Sequence, residues 1–182
     1  MQRRSFLKAA SAMLPAAGLK NFALAQAAAP STGEIHVVGT GQDRFGEQHS
    51  LGYSSILFKI GASETGGSMF VIEHTNLIKG GPPFHLHLHQ EEWFYVMEGE
   101  VLFQIGDSRK HLHSGESILG PRNIPHTFSA IGEKPGRMII AFSPARMMEE
   151  FFRATAVPNP PVKDAAFYRK YEIEMIGPPL KV

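Results

Sequence analysis

Cysteine is absent from the 182-residue sequence. This absence excludes disulfide bonds, cysteine-ligated zinc or iron–sulfur sites, and thiol nucleophiles. Charge of one sign is not in excess either, since 18 Lys and Arg face 17 Asp and Glu. Charged residues make up 19% of the chain and hydrophobic residues 43%, which is typical of a globular protein and argues against disorder.

Two common catalytic or binding motifs are also missing. Gly39-Thr40-Gly41 is too short for either of the glycine-rich nucleotide-binding fingerprints. The Gly-x-Ser-x-Gly nucleophile elbow of serine hydrolases does not occur anywhere in the chain. The sequence therefore gives no support for nucleotide binding or for a nucleophilic serine at such an elbow.

The first 29 residues have the features of an export signal. Four basic side chains and no acidic one accompany an apolar, alanine-rich stretch with small residues at its end. The tract from Arg3 to Lys8 resembles the twin-arginine signal of bacterial exported proteins, and Ala23-Leu24-Ala25 fits cleavage near 25/26. The resemblance implies the twin-arginine export machinery as a partner and a periplasmic or secreted location. The alternative is a basic amphipathic helix that stays attached.

Removal of this segment changes the charge balance. It carries four of the 18 basic residues, so 14 basic and 17 acidic residues remain, a net charge of −3. A mildly acidic chain without a Lys/Arg stripe predicts no nucleic-acid partner. Lys20 and Asn21 interrupt the apolar stretch, so no stable membrane span is predicted. Residues 30–182 are long enough for a single domain with its own core.

The rest of the chain is rich in turn residues, with 18 Gly and 13 Pro. Short apolar or alternating runs separated by such turns predict an all-β protein, an antiparallel sandwich or barrel with a core at about 35–143. The predicted strands are 35–38, 55–60, 69–75, 93–97, 100–105, 117–119, 127–131 and 137–142.

The segment 144–182 predicts short C-terminal helices. Ser143 and Pro144 have the preferences of an N-cap and a first helical position, and Asp164 has those of a second N-cap. The tail after Gly177-Pro178-Pro179 is too short for a further element. The first helix would pack a core-facing stripe formed by Met147, Met148, Phe151 and Phe152.

Six of the nine histidines lie between residues 85 and 126. Because side chains two residues apart on a strand point to one face, His85, His87 and His89 can converge. Imidazoles of this kind, with a carboxylate from Glu91 or Glu92, form a ligand set for a divalent transition metal. A solvated histidine-rich turn is the alternative.

These residues resemble the first motif of the cupin superfamily, in which a glycine precedes His-x-His, a glutamate and a second glycine. In this sequence the motif falls on Gly81, His85, His87, Glu92 and Gly99. The resemblance selects Glu92 over Glu91, since six residues separate Glu92 from Gly99, and it leaves His89 outside the ligand set.

The second cupin motif falls on Gly115, Pro121 and His126. Asn123 replaces a glycine of the motif, and Ala130 replaces its closing asparagine, which is not a ligand. The resemblance implies a single-domain cupin, that is, a double-stranded β-helix or jelly-roll barrel. It also implies a metal centre formed by His85, His87, Glu92 and His126.

The chain is most similar to the small quercetin dioxygenase-like cupins. Gly81-Pro82-Pro83, the run from Glu92 to Val96 and the Gly177-Pro178-Pro179-Leu180 ending support this likeness. It implies a dioxygenase for a small phenolic or enolic compound, with Fe, Mn, Ni or Cu as cofactor and Glu92 as both ligand and catalytic proton acceptor. The alternatives are a binding or sensing cupin without turnover and a cupin isomerase or decarboxylase.

Several other residues receive structural interpretations. Phe94, Gln104 and Phe128 are expected to line the barrel interior. His111 and His113 share one face of a strand end, which is either solvated or a surface metal pair. Isolated structural positions are predicted for His36, His49 and His74. Trp93 and Tyr95 are expected to point outward, and the resemblance to cupins, which pair through their sheets, implies a homodimer interface at this surface.

Overall fold

The computed structural model describes residues 35–182 of the chain. The predicted signal at 1–29 and its cleavage near 25/26 lie outside the described residues. Neither α-helix of the described part is long and apolar enough to span a membrane.

Eleven strands and two short α-helices make up the described chain, with a 3-10 helix at Ala62–Thr65. The strands are β1 (His49–Ser50), β2 (Ser55–Ile60), β3 (Phe70–Leu77), β4 (Pro83–His87), β5 (Glu91–Glu98), β6 (Glu100–Ile105), β7 (Ser108–His113), β8 (Ser117–Gly120), β9 (His126–Ala130), β10 (Gly136–Ser143) and β11 (Ile173–Pro179). The helices are α1 (Met148–Thr155) and α2 (Ala165–Lys170).

The strands form two antiparallel sheets. One has the order β1-β2-β3-β10-β5-β8, and the other has the order β11-β4-β9-β6-β7. A single hydrophobic core joins side chains of both sheets, including Ile72, Phe94, Phe128 and Ile140. This two-sheet arrangement confirms the predicted all-β class with a jelly-roll architecture.

Alternation along the strands decides which side chains enter the interior. In β5, Glu92, Phe94 and Val96 are buried, whereas Trp93 between them is exposed. The strand thus places one carboxylate among apolar side chains that face the opposite sheet. Burial of a charged group in this setting requires partners, which β4 and β9 supply.

Most predicted strands are confirmed within a few residues, but the first is wrong. Residues 35–38 do not form a strand, and Ile35 and Val37 are 96% and 82% exposed. This short apolar run pairs with no strand of residues 35–182. Without a partner, four residues of strand-like composition do not hold an extended ladder.

The C-terminal helices differ from the prediction at one end. Helix α1 begins at Met148, four residues after Pro144, while Ser143 ends β10 and its Oγ donates to the Ser68 carbonyl. The second N-cap is confirmed, because the Asp164 carboxylate accepts a hydrogen bond from Phe167 N at 2.8 Å.

Strand β11 was not predicted from the sequence. It pairs antiparallel with β4, although Gly177 and the prolines that follow it interrupt the register. Proline is tolerated here because β11 lies at the edge of its sheet. The segment 144–182 therefore contributes a strand to the fold in addition to its two helices.

Candidate metal centre

The pairing of β4 with β9 brings the first two histidines of the site together. His85 and His126 are direct cross-strand partners, although 41 residues separate them in the chain. His87 lies two residues beyond His85 on the same face of β4. Glu92 approaches from β5 in the opposite sheet, so the cluster lies between the sheets.

The four side chains converge closely. Their ligating atoms all lie within 4.8 Å of one another, and all four residues are buried. The Oε2 atom of Glu92 lies 3.0 Å from Nε2 of His87 and 2.8 Å from Nε2 of His126. The structure thus brings together His85, His87, Glu92 and His126, the four positions that the cupin resemblance implies.

Backbone carbonyls orient two of the three imidazoles. Nδ1 of His85 donates to the Pro83 carbonyl at 2.8 Å, and Nδ1 of His126 donates to the Ile124 carbonyl at 3.0 Å. A carbonyl can only accept, so these contacts place a proton on Nδ1 and direct Nε2 into the cluster. Nδ1 of His87 is buried without a hydrogen-bond partner in the described chain.

The pKa values follow from burial and mutual charge. Burial, together with the neighbouring His126 and His87, lowers the pKa of His85 to about 3. Burial alone would raise the pKa of Glu92, but hydrogen bonds from His126 and His87 outweigh it and lower that pKa. Burial would lower the pKa of His126, yet the hydrogen bond to Glu92 raises it.

The residues present fit a divalent transition metal. Three imidazoles and one carboxylate provide an N3O donor set of the kind that Fe, Mn, Ni and Cu accept. Two of the imidazoles already have the tautomer that a metal requires, fixed by the backbone. A six-coordinate ion on these four ligands would keep two positions for other molecules.

A cavity of about 440 Å³ adjoins the cluster. Its walls are mostly apolar and include Phe128, Phe142 and, from α1, Met148, Phe151 and Phe152. The stripe predicted to be core packing therefore has a second role, because three of its members also face the cavity. An apolar cavity with a few converging polar groups is the usual form of a small-molecule site.

The other residues that the sequence analysis singled out lie at different positions relative to the cluster and the cavity. His89 is exposed and outside the cluster, as the resemblance implied. Phe94 is a core residue, and Phe128 lines the cavity. Gln104 does not reach the cavity, since it is half-buried and accepts a hydrogen bond from Arg109.

A second, exposed group of metal-binding side chains lies at the β6–β7 hairpin. His111 and His113 have ring centroids 4.3 Å apart, and His111 Nε2 lies 2.8 Å from Glu100 Oε2. Side-chain exposure of 41% at His111 and 47% at Glu100 places this group in solvent. Purified protein can take up adventitious metal at such a group, so metal analysis needs a variant that removes it.

The remaining histidines divide into three environments. His36 is exposed, and His49 is half-buried and stacks on Phe58 at a centroid distance of 4.3 Å. His74, predicted to be structural, is buried and lines the cavity beside the cluster of His85, His87, Glu92 and His126. Its isolation in the sequence gave no signal for this position, because Tyr53, Ser54 and Phe128 create its environment.

The outward position of Trp93 is confirmed. Its side chain is 38% exposed and stacks on Tyr95 with ring centroids 5.9 Å apart. Leu119, its cross-strand partner on β8, is 47% exposed. These three residues form an outer apolar patch on the six-stranded sheet.

Comparison with known proteins gives a family match over part of the chain. Residues 75–142 match the cupin domain family. This range contains the four residues of the buried cluster. No curated protein matches the sequence.

Solved structures resemble the fold at low sequence identity. An RmlC-like cupin from Shewanella frigidimarina NCIMB 400 has a TM-score of 0.52 and 23% identity, covering 65% of this chain and 96% of that one. KdgF from Halomonas sp. has a TM-score of 0.50 and 16% identity, covering 57% of this chain and 90% of that one. At these identities the likeness supports the fold.

Proposed function

We propose, on the premise that residues 75–142 form a cupin domain, that this chain is a metal-dependent dioxygenase for a small phenolic or enolic compound. The observation that carries the proposal is the buried three-histidine, one-glutamate cluster at the wall of an apolar cavity. A structural metal site would have no need of an adjoining cavity of this size.

His85, His87, Glu92 and His126 would hold one divalent ion, which is Fe, Mn, Ni or Cu on the basis of the donor set. Such an ion, when bound, supplies Lewis acidity toward a substrate oxygen and redox chemistry toward dioxygen. The chain keeps the histidine nitrogens aimed at that point through the Pro83 and Ile124 carbonyls.

Glu92 is the proposed proton acceptor as well as a ligand. Its Oε2 faces His87 and His126, while Oε1 makes no hydrogen bond to residues 35–182. Because Glu92 also lines the cavity, this second oxygen can accept the proton of a substrate hydroxyl. Deprotonation increases the electron density of a phenolic or enolic ring and prepares it for reaction with dioxygen.

The cavity supports an aromatic or similarly apolar substrate. Phe128, Phe142, Phe151 and Phe152 line the cavity and offer apolar ring surfaces to a planar substrate. A volume of about 440 Å³ suits a small molecule rather than a polymer.

The test is dioxygen consumption by protein reconstituted with each of the four metals in turn, with a panel of catechols, flavonols and enols. We expect substrate-dependent oxygen uptake that Glu92→Gln lowers by at least about a hundredfold, the usual scale for a lost proton acceptor. His89→Gln is the matched control, since His89 is exposed and outside the cluster.

Anaerobic assays separate the alternatives. Product formation without dioxygen would contradict the dioxygenase proposal and indicate an isomerase or decarboxylase. Metal binding with no turnover on any compound of the panel would favour a binding or sensing cupin.

We propose further that residues 1–29 direct twin-arginine export to the periplasm or the outside of the cell. Arg3→Lys combined with Arg4→Lys is expected to keep the protein in the cytoplasm, as detected by cell fractionation. Normal export of the double variant would contradict this proposal.

A further inference from the structure

His74 combines deep burial with access to the cavity. It lies on β3, is 1% exposed, and shares its strand face with Ile72, a residue of the hydrophobic core. Its imidazole nevertheless lines the cavity together with the metal cluster. It is not one of the four clustered ligands.

Three neighbours fix the orientation of the His74 ring. Its Nδ1 lies 2.8 Å from Oγ of Ser54, which is itself 5% exposed. Tyr53 stacks nearly parallel to the ring at 6.2 Å, and Phe128 meets it edge-on at 5.8 Å. An imidazole held on several sides is preorganised for one hydrogen-bond direction.

The other ring nitrogen has no partner in residues 35–182. No hydrogen bond is made by Nε2 of His74, although Nδ1 is satisfied by Ser54. Because His74 lines the cavity and only its Nδ1 is paired within residues 35–182, Nε2 is the ring nitrogen that can bind a molecule in the cavity.

The charge state of His74 suits a neutral hydrogen-bonding group. Burial lowers its pKa to about 4, although the charge of Glu92 acts in the opposite direction. A neutral imidazole can donate to an oxyanion or accept from a hydroxyl, depending on its tautomer. It also adds no positive charge beside a bound cation.

We propose that Nε2 of His74, with its ring fixed by Ser54, binds a second oxygen of the substrate, away from the oxygen that reaches the metal cluster. This inference rests on the proposed function and deepens it. It selects, among phenolic and enolic compounds, those that carry a second oxygen function besides the one that reaches the cluster. Ser54 is the positioning residue of this contact.

The experiment measures calorimetric affinities, without dioxygen, of the full chain loaded with Ni²⁺ for two probes. Catechol carries only the adjacent hydroxyls, and 3,4-dihydroxybenzoate adds a distal carboxylate. The wild type is expected to bind 3,4-dihydroxybenzoate about tenfold more tightly than catechol, the scale of one hydrogen bond to a charged group.

Three variants examine His74 directly. His74→Phe keeps a ring without nitrogen and is expected to lose this tenfold preference, with catechol affinity and Ni²⁺ content unchanged. His74→Gln, which restores a hydrogen-bonding group, should recover part of the preference, and Ser54→Ala should reduce it. His89→Gln is the control and should bind both probes like the wild type.

Three results would overturn the inference. One is an unchanged preference in His74→Phe, which leaves the proposed dioxygenase intact. Another is a loss in His74→Phe of the affinity for both probes together with the bound Ni²⁺, which would indicate a structural role for His74. The third is failure of the Ni²⁺-loaded wild type to bind either probe, which would contradict the proposed substrate class as well.

Discussion

At the scale of single residues, the cluster shows which parts of a site can be predicted from sequence. The four residues of the buried cluster were identifiable because their spacing matches a family motif and because His85 and His87 share a strand face. Glu92 could be preferred over Glu91 only through that motif. The partners of the imidazoles, the Pro83 and Ile124 carbonyls, could not be predicted, since they depend on local backbone geometry.

His74 illustrates the opposite case. Nothing near it in the sequence indicates a site, because Ser54 is 20 residues away and Phe128 comes from the other sheet. Only the folded arrangement places an unpartnered nitrogen of this residue at the cavity.

Gly81 provides a prediction at this scale. A Cβ atom at this position would lie 1.8 Å from the Phe128 carbonyl oxygen, a backbone atom that cannot move aside cheaply. We therefore expect Gly81→Ala to lower the free energy of unfolding by about 3 kcal/mol or more, measured by urea denaturation.

Gly132→Ala is the matched control for this substitution. The atoms nearest to a Cβ at Gly132 lie at 3.7 Å and 3.9 Å, which is ordinary contact, so a change below about 1 kcal/mol is expected. Equal losses of unfolding free energy in the two variants would contradict the close approach of Gly81 to β9.

At the scale of elements, strand pairing explains both the successes and the errors of the sequence prediction. Strands with alternating burial, such as β5 and β10, were predictable because alternation is itself visible in the sequence. Strand β11 was missed because its glycine and prolines signal a turn, while its ladder to β4 depends on a distant partner.

Strand β11 pairs directly with the strand that carries two histidines of the buried cluster. Ile173 is the register partner of His87, and Met175 is that of His85. Ile173 is 1% exposed, whereas Ile176 on the same strand is 49% exposed. We expect Ile173→Ala to cost about 3 kcal/mol of unfolding free energy and to weaken metal retention during dialysis. Ile176→Ala should change neither quantity measurably, and a metal loss from both variants alike would contradict this role.

A buried ion pair links β2, β3 and β10. Glu73 is 2% exposed, accepts from Nε of Arg137 at 2.9 Å, and lies 3.4 Å from Nζ of Lys59. Glu73→Ala would leave two cations without their shared carboxylate, so a loss of about 3 kcal/mol is expected in urea denaturation.

Glu98→Ala is the comparison for Glu73→Ala. Glu98 contacts the same Arg137, but its side chain is 57% exposed, so a cost below about 1 kcal/mol is expected. A larger loss of unfolding free energy in Glu98→Ala than in Glu73→Ala would contradict the larger contribution that we expect from the buried carboxylate.

At the scale of the whole molecule, the two sheets place a polar cluster inside an otherwise hydrophobic interior, and α1 covers one wall of the cavity. The all-β fold was predictable because turn residues and short apolar runs alternate through the chain. The closure of the cavity by α1 was not, since the apolar stripe of a helix does not reveal what it packs against.

Homodimer formation stays a prediction at this scale. The exposed patch of Trp93, Tyr95 and Leu119 is the surface on which it depends. Trp93→Glu is expected to shift the sedimentation coefficient from that of a dimer to that of a monomer, whereas Leu57→Glu, at a half-buried position elsewhere on the same sheet, should not. A wild type that sediments as a monomer would contradict the prediction.

Elemental analysis of the protein purified without chelator, alongside its His126→Ala and His113→Ala variants, tests whether the buried cluster holds a metal ion. We predict about one Fe, Mn, Ni or Cu ion per chain, lost in His126→Ala and retained in His113→Ala, because within residues 35–182 only the buried cluster offers four ligands to one ion. A wild type that binds none of these metals would contradict this prediction. Metal that is lost in His113→Ala and retained in His126→Ala would contradict it as well.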